Sequence, residues 1–323
     1  MSTICMVAAR YQADLSVYED TLRSHAESEL GNALASGEIV YVLQAHVLLG
    51  SHALTCGDFL VAPLSLSLHF AALDPVLLDD ALPEPLDQIE EGERVNAFWT
   101  VYSLKTIWGV ALNTIVGYDR EYNNRGWIES SLQENDALRY SLFGAIAHGW
   151  SQGGTSSLAE ISKASALIER ALFLSKTEEL NLHTILMIDS FIDNLALALG
   201  PTALASPHEY AAHLLLRGAT FVLHCADEPD ERALHAARAM AVASFTLLPA
   251  TSREVPGFLE PAVGIVIPAA CRVLMSARSS EMMNMAEAEV DGAMNALLAL
   301  LEAWALVSTF VGVLYVSSPP NLN

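Results

Sequence analysis

Leu158 to Ser175 reads LAEISKASALIERALFLS. Leu158, Ile161, Ala164, Leu167, Ile168, Ala171 and Leu172 recur at steps of three and four residues. That spacing lines apolar side chains along one face of a helix with 3.6 residues per turn. The pattern continues in both directions. Upstream it predicts helices over 15–36, 38–51, 59–72, 93–116 and 132–149. Downstream it predicts 180–199, closed by Gly200-Pro201, then 207–226, 231–248, 263–276 and 281–316. Alternation of period two, the mark of a half-buried strand, is scarce. Between the helices lie 74–92, with Pro75, Pro83 and Pro85 among many carboxylates, a polar and aromatic stretch at 117–131, a Gly/Ser stretch at 151–156, the turn Asp227 to Asp230, and 249–261. There is no Gly/Ser-rich linker and no repeat of fixed period. The expected architecture is all-α, a single large multi-helix domain over 38–316, with a helical lead-in over 1–37 and a polar tail over 317–323.

Composition narrows the function classes. The 323 residues hold 16 Lys and Arg against 38 Asp and Glu, a formal net charge of −22. A surface that tracks phosphates needs clustered basic side chains, and the lysines are only Lys105, Lys163 and Lys176. Direct nucleic-acid contact by this chain is therefore not expected. Apolar residues make up 52%, too many for intrinsic disorder and enough for a large core. Cys5, Cys56, Cys225 and Cys271 are far apart, which fits reduced, buried thiols and no zinc cluster. His52 with Cys56, and His224 with Cys225, each fall short of three convergent ligands. Neither a metal nor a cofactor is expected in these residues.

Two further segments invite a sharper reading. Ala296 to Val316 is almost wholly apolar and long enough to span a bilayer, interrupted by Glu302. No basic residue flanks it, and Glu302 at a bilayer centre would cost about 2.5–3.5 kcal/mol, so a buried terminal helix is expected and a membrane anchor is the alternative. Gly149-Trp150-Ser151-Gln152-Gly153 matches G-x-S-x-G, the turn that lifts a nucleophilic serine in α/β-hydrolases. Asp189 or Asp193, with His208, His213, His224 or His235, could complete a triad in the right order. The strands that such a turn requires are missing from the pattern, so an inter-helical loop is expected and a serine hydrolase is the alternative. No catalytic residue is expected on the main reading.

Four stretches point to one family. The first is Glu93 to Leu104, ERVNAFWTVYSL, carrying Arg94, Phe98, Trp99 and Tyr102. The second is Ile39 to Leu49, IVYVLQAHVLL with Leu43, together with Leu66 to Leu73. The third is Ile161 to Ala171, ISKASALIERA, with Lys163 and Leu167. The fourth is Ala211 to His224, ending in Leu223-His224. In this order they resemble the fungal-specific transcription factor domain, the middle-homology regulatory region that follows a binuclear zinc cluster. Lys105 and Thr106 depart from the Asp-Arg with which the family often continues its Phe-Trp helix. The resemblance implies an all-α, non-enzymatic regulator of RNA polymerase II transcription in the nucleus. Its partners would be the transcription machinery, a second copy or a small effector. DNA and zinc would be held by a six-cysteine module that these residues do not contain.

Overall fold

The computed structural model describes residues 3–6, 16–36, 39–55, 87–111, 156–176, 182–201, 207–225, 230–251, 262–279 and 287–307. The expected all-α class is what forms: helices account for nearly all of these residues, and no strand occurs among them. A 3-10 turn, Ser16–Tyr18, leads into α1 (Glu19–Ser36), followed by α2 (Ile39–Thr55) and α3 (Gln88–Ala111). Then come α4 (Ser157–Lys176), α5 (Leu182–Leu199), α6 (Pro207–His224), α7 (Glu231–Thr251), α8 (Ala262–Ser279) and α9 (Glu287–Val307). The helices expected over 59–72 and 132–149, and the loop over 117–131, lie outside the described residues.

Local side-chain chemistry sets several helix ends. Asp87 Oδ1 accepts the Glu90 amide at 2.8 Å, so it caps α3. This corrects the expectation of a loop up to residue 92. The acidic run there holds a cap followed three residues later by a glutamate, the order of a capping box. Ser156 Oγ accepts from the Ala159 amide at 3.3 Å at the start of α4. Asp230 Oδ1 accepts from the Ala233 amide at 2.9 Å at the start of α7. Gly200, at φ +78°, ends α5 in the left-handed conformation that favours glycine, and its amide donates to the Leu197 carbonyl at 3.3 Å. The loop expected from residue 249 yields at its start to α7, which runs on to Thr251.

The described residues fall into two compact units, one up to Val101 and one from Tyr102 to Val307. In the first, α1 packs on α2, with Met6, Ala26 and Leu49 buried together and Leu22 and Leu30 against them. His52 Nε2 on α2 meets Glu19 Oε1 at the start of α1, 2.7 Å away. The histidine that sequence pairs with Cys56 thus serves a contact between α1 and α2, and Cys56 lies outside the described residues.

In the second unit α6 is the central helix, packed on α4, α5, α7 and α8. Tyr210 to Leu216 are all buried, as are Gly218 to Phe221. A helix buried nearly all round, with Arg217 as its break, sits inside the bundle. Its tightest neighbour is α4, which buries Ala164, Leu167, Ile168 and Ala171 against Ala211, Ala212, Leu215 and Ala219. The small side chains allow the close approach. A Cβ on Gly218 would lie 2.6 Å from Ile168 Cδ1 and 3.0 Å from Val266 Cγ2, so any larger residue at 218 forces Ile168 to shift. The last helix, α9, closes over α7 and α8. Val290, Leu297, Leu300 and Leu301 are buried there, while Arg238 pairs with Glu289 and Arg278 with Glu287 and Asp291.

Candidate functional site

Charged side chains gather where α5, α6 and the start of α7 meet. His224, the last residue of α6, has a carboxylate at each ring nitrogen. Nδ1 lies 2.6 Å from Asp230 Oδ2, and Nε2 lies 3.0 Å from Asp189 Oδ1 and 3.1 Å from Oδ2. Arg232 extends the cluster: its Nε is 3.1 Å from Asp189 Oδ1 and its Nη2 donates to Asp193 Oδ1 at 2.7 Å. Asp189 and Asp193 stand one turn apart on α5, so both lie on the same face of that helix. Asp230 serves twice, as the cap of α7 and as the partner of His224. Its amide also donates to the His224 carbonyl at 3.3 Å. One residue therefore fixes the α6–α7 turn through both backbone and side chain.

This arrangement binds three helices together. It leaves no ring nitrogen of His224 open to a substrate, because a general base needs one nitrogen for the reacting proton and one for its orienting carboxylate. Asp189 and His224, both candidates for a triad with Ser151, do meet. The second carboxylate, Asp230, occupies the position a serine would take. Ser151 and the side chain of His208 lie outside the described residues, and His235 is exposed. His213 is buried against α5, where it hydrogen-bonds the backbone of Gly200. Burial and the nearby Arg217 charge push its imidazole down to about 4, against the pull of Glu209 and that hydrogen bond.

A second set of polar groups lines α4. Lys163 is 1% exposed, with Ser162 and Ser165 buried beside it. Glu160 is held above the usual carboxylate range, first by burial and then by Glu209 across on α6, with Lys163 pulling the other way. Two turns on, Tyr102 of α3 donates its hydroxyl to Glu169 Oε2 at 3.1 Å, and the Ser103 and Ser162 hydroxyls bond at 2.8 Å. On α6, Tyr210 bonds Ser244 of α7 at 2.9 Å.

The signature residues are distributed among these features. Arg94 forms an i,i+4 pair with Glu90 on its own helix, 2.6 Å between Nη2 and Oε1. Trp99 and Tyr102 are buried. Lys163 and Leu167 are both inside the α4 face, and His224 is in the clasp. The side chains of Phe98 and Leu43 lie outside the described residues. Sequence reading passes over Glu169, Asp230 and Arg232. Only Asp230 carries a signal of its own, as an Asp placed before a helix start. The other two gain their roles from residues 67 and 39 or more positions away, Tyr102 and Asp193.

Among the described residues, no group of three or more His, Cys, Asp or Glu side chains is arranged to hold a metal ion. Cys5, Cys225 and Cys271 are free thiols, and burial pushes the Cys225 thiol up to about 11. One described helix, Leu182–Leu199, is long and apolar enough to cross a membrane. The apolar segment 296–316 is described as far as residue 307, and Ala296, Leu297, Leu300 and Leu301 within it are buried. No protein-family model matches the chain, and neither a curated protein nor a solved structure does.

Proposed function

We propose that this chain is the regulatory, middle-homology portion of a fungal zinc-cluster-type transcription factor, acting on RNA polymerase II transcription in the nucleus. Residues 38–316 would form the domain, with 1–37 as lead-in and 317–323 as tail. One observation carries the reading. Two of the stretches that bear the resemblance meet in space, through the hydrogen bond from Tyr102 in 93–104 to Glu169 in 161–171. The all-α architecture with a large apolar core fits a domain of this kind. Zinc and DNA contacts are assigned to the family's cysteine module and to none of these residues. The partners proposed are proteins of the transcription machinery, a second copy, or a small effector seated between helices.

The test is a nuclear fusion of the chain to an unrelated DNA-binding domain, read out on a reporter gene. Expression is expected to change relative to the DNA-binding domain alone, and Trp99→Asp is expected to abolish the change by opening the core. An inert, correctly localised and folded fusion would count against the proposal. A fluorophosphonate probe separates the enzymatic alternative: labelling that disappears in Ser151→Ala would replace the regulatory reading with a hydrolase.

A further inference from the structure

His224 stands between two carboxylates that differ in their access to water. The Asp189 side chain is 10% exposed and also meets Arg232, while that of Asp230 is 49% exposed. A neutral imidazole carries one N–H and an imidazolium carries two. Only the protonated ring can donate at once to Asp230 Oδ2, 2.6 Å away, and to Asp189 Oδ1, 3.0 Å away. The geometry itself ties one proton to the joint between α5 and the α6–α7 turn.

Among the described residues, the charged groups around the ring are Asp189 and Asp193 from α5, and Asp230 and Arg232 from the start of α7. Arg217, earlier on α6, interacts with Asp193 and Arg232, and Arg272 of α8 interacts with Cys225 beside the histidine. When the ring gives up a proton, one N–H remains for two carboxylates. A largely buried carboxylate loses more by going without a donor than an exposed one does, so the hydrogen stays on Nε2 with Asp189. The bare Nδ1 then faces Asp230 Oδ2, acceptor against acceptor, and Asp230 turns to water. The same carboxylate caps α7 through the Ala233 amide, so the α6–α7 turn and the first turn of α7 loosen together.

We propose that His224 is a proton-dependent tie, which holds the α6–α7 turn closed while its ring is protonated and releases Asp230 when it is not. The protonated ring makes the greater number of contacts, so the turn is tightest at low pH and loosens as pH rises across the histidine range.

Hydrogen–deuterium exchange on the full chain between pH 5.5 and 8.5, corrected for intrinsic chemical rates, reads the tie directly. The amides to follow are Asp230, which donates to the His224 carbonyl, Ala233, which donates to the cap, and Leu234, which donates to the Asp230 carbonyl. Their protection is expected to fall by about three- to tenfold across that range, while amides 211–221 of the central helix hold theirs. His224→Gln removes this titration and leaves every other titratable group in place, so its protection at 230–234 should not vary with pH. Asp230→Asn keeps an oxygen for the cap and offers an N–H to the neutral ring, so the fall should vanish or reverse. The tie is overturned by pH-independent protection at 230–234 in the wild-type protein, by an equal fall in His224→Gln, or by a fall shared with 211–221. A fall retained by Asp230→Asn, in a protein that circular dichroism shows to be folded, would overturn it as well.

Discussion

At the scale of single residues, a buried histidine and a part-buried glutamate oppose each other across pH. His213 titrates near 6.5 when unfolded and about 4 when folded. The folded state therefore holds it neutral while the unfolded chain takes up a proton. Its stabilisation is full above about 6.5 and is lost as pH falls towards 4, by on the order of 3 kcal/mol. His213→Gln should flatten the acid side of the stability profile, measured by urea unfolding at pH 5 and pH 7.5. An unchanged difference between the two pH values would remove His213 as its source. Glu169 acts in the opposite direction, weakening the fold as pH rises from 4.5 to about 7. His224 is a structural tie. His224→Ala deletes the group between Asp189 and Asp230 and leaves a largely buried carboxylate with Arg232 alone. A loss of about 2–3 kcal/mol is expected in denaturant unfolding. A double-mutant cycle with Asp189→Asn should give a coupling of at least about 0.5 kcal/mol, and additivity would show that the contact contributes nothing.

At the scale of elements, the α4–α6 pair depends on closeness. Gly218→Ala would raise helix propensity by about 1 kcal/mol, but its methyl would overlap Ile168, and Ile168 is 1% exposed and cannot swing into water. Crowding a packed core costs about 1–3 kcal/mol, so the balance falls on destabilisation, and Gly218→Val should lose more than Gly218→Ala in thermal unfolding. Equal stability of all three would mean the pair has slack. Helix α3 offers a contrasting case. Asp87 is an exposed cap, and Asp87→Ala should cost about 0.5–2 kcal/mol of local helix stability, seen as faster amide exchange over 88–91 with the core untouched. Helix spans were largely readable in advance, because the apolar period reports the period of the backbone. Ends were less so. The start of α3 was hidden in an acidic run that composition alone marks as solvated. The preference for a helix there lies in one side-chain oxygen reaching one amide.

At the scale of the whole molecule, 38 acidic against 16 basic residues set the long-range field. A gel-shift assay of the chain at physiological salt should give no DNA complex, because nothing neutralises phosphates in number. Tight binding that weakens steeply with salt would contradict this. The all-α class, the order of the helices and the burial of Ala164, Leu167 and Ile168 follow from the sequence by itself, since each depends on residues within a few turns of one another. The contacts of His224 and the Tyr102–Glu169 hydrogen bond do not. Asp189 lies 35 positions from His224, and Tyr102 lies 67 from Glu169. Nothing local in their neighbourhoods distinguishes them from solvated polar residues on amphipathic helices. Only tertiary packing decided that a terminal histidine would sit between two carboxylates, and that one glutamate of a helical face would be half-buried against a tyrosine hydroxyl. Desolvation and hydrogen bonding depend on what lies across the gap between helices, and periodicity along the chain carries no record of it.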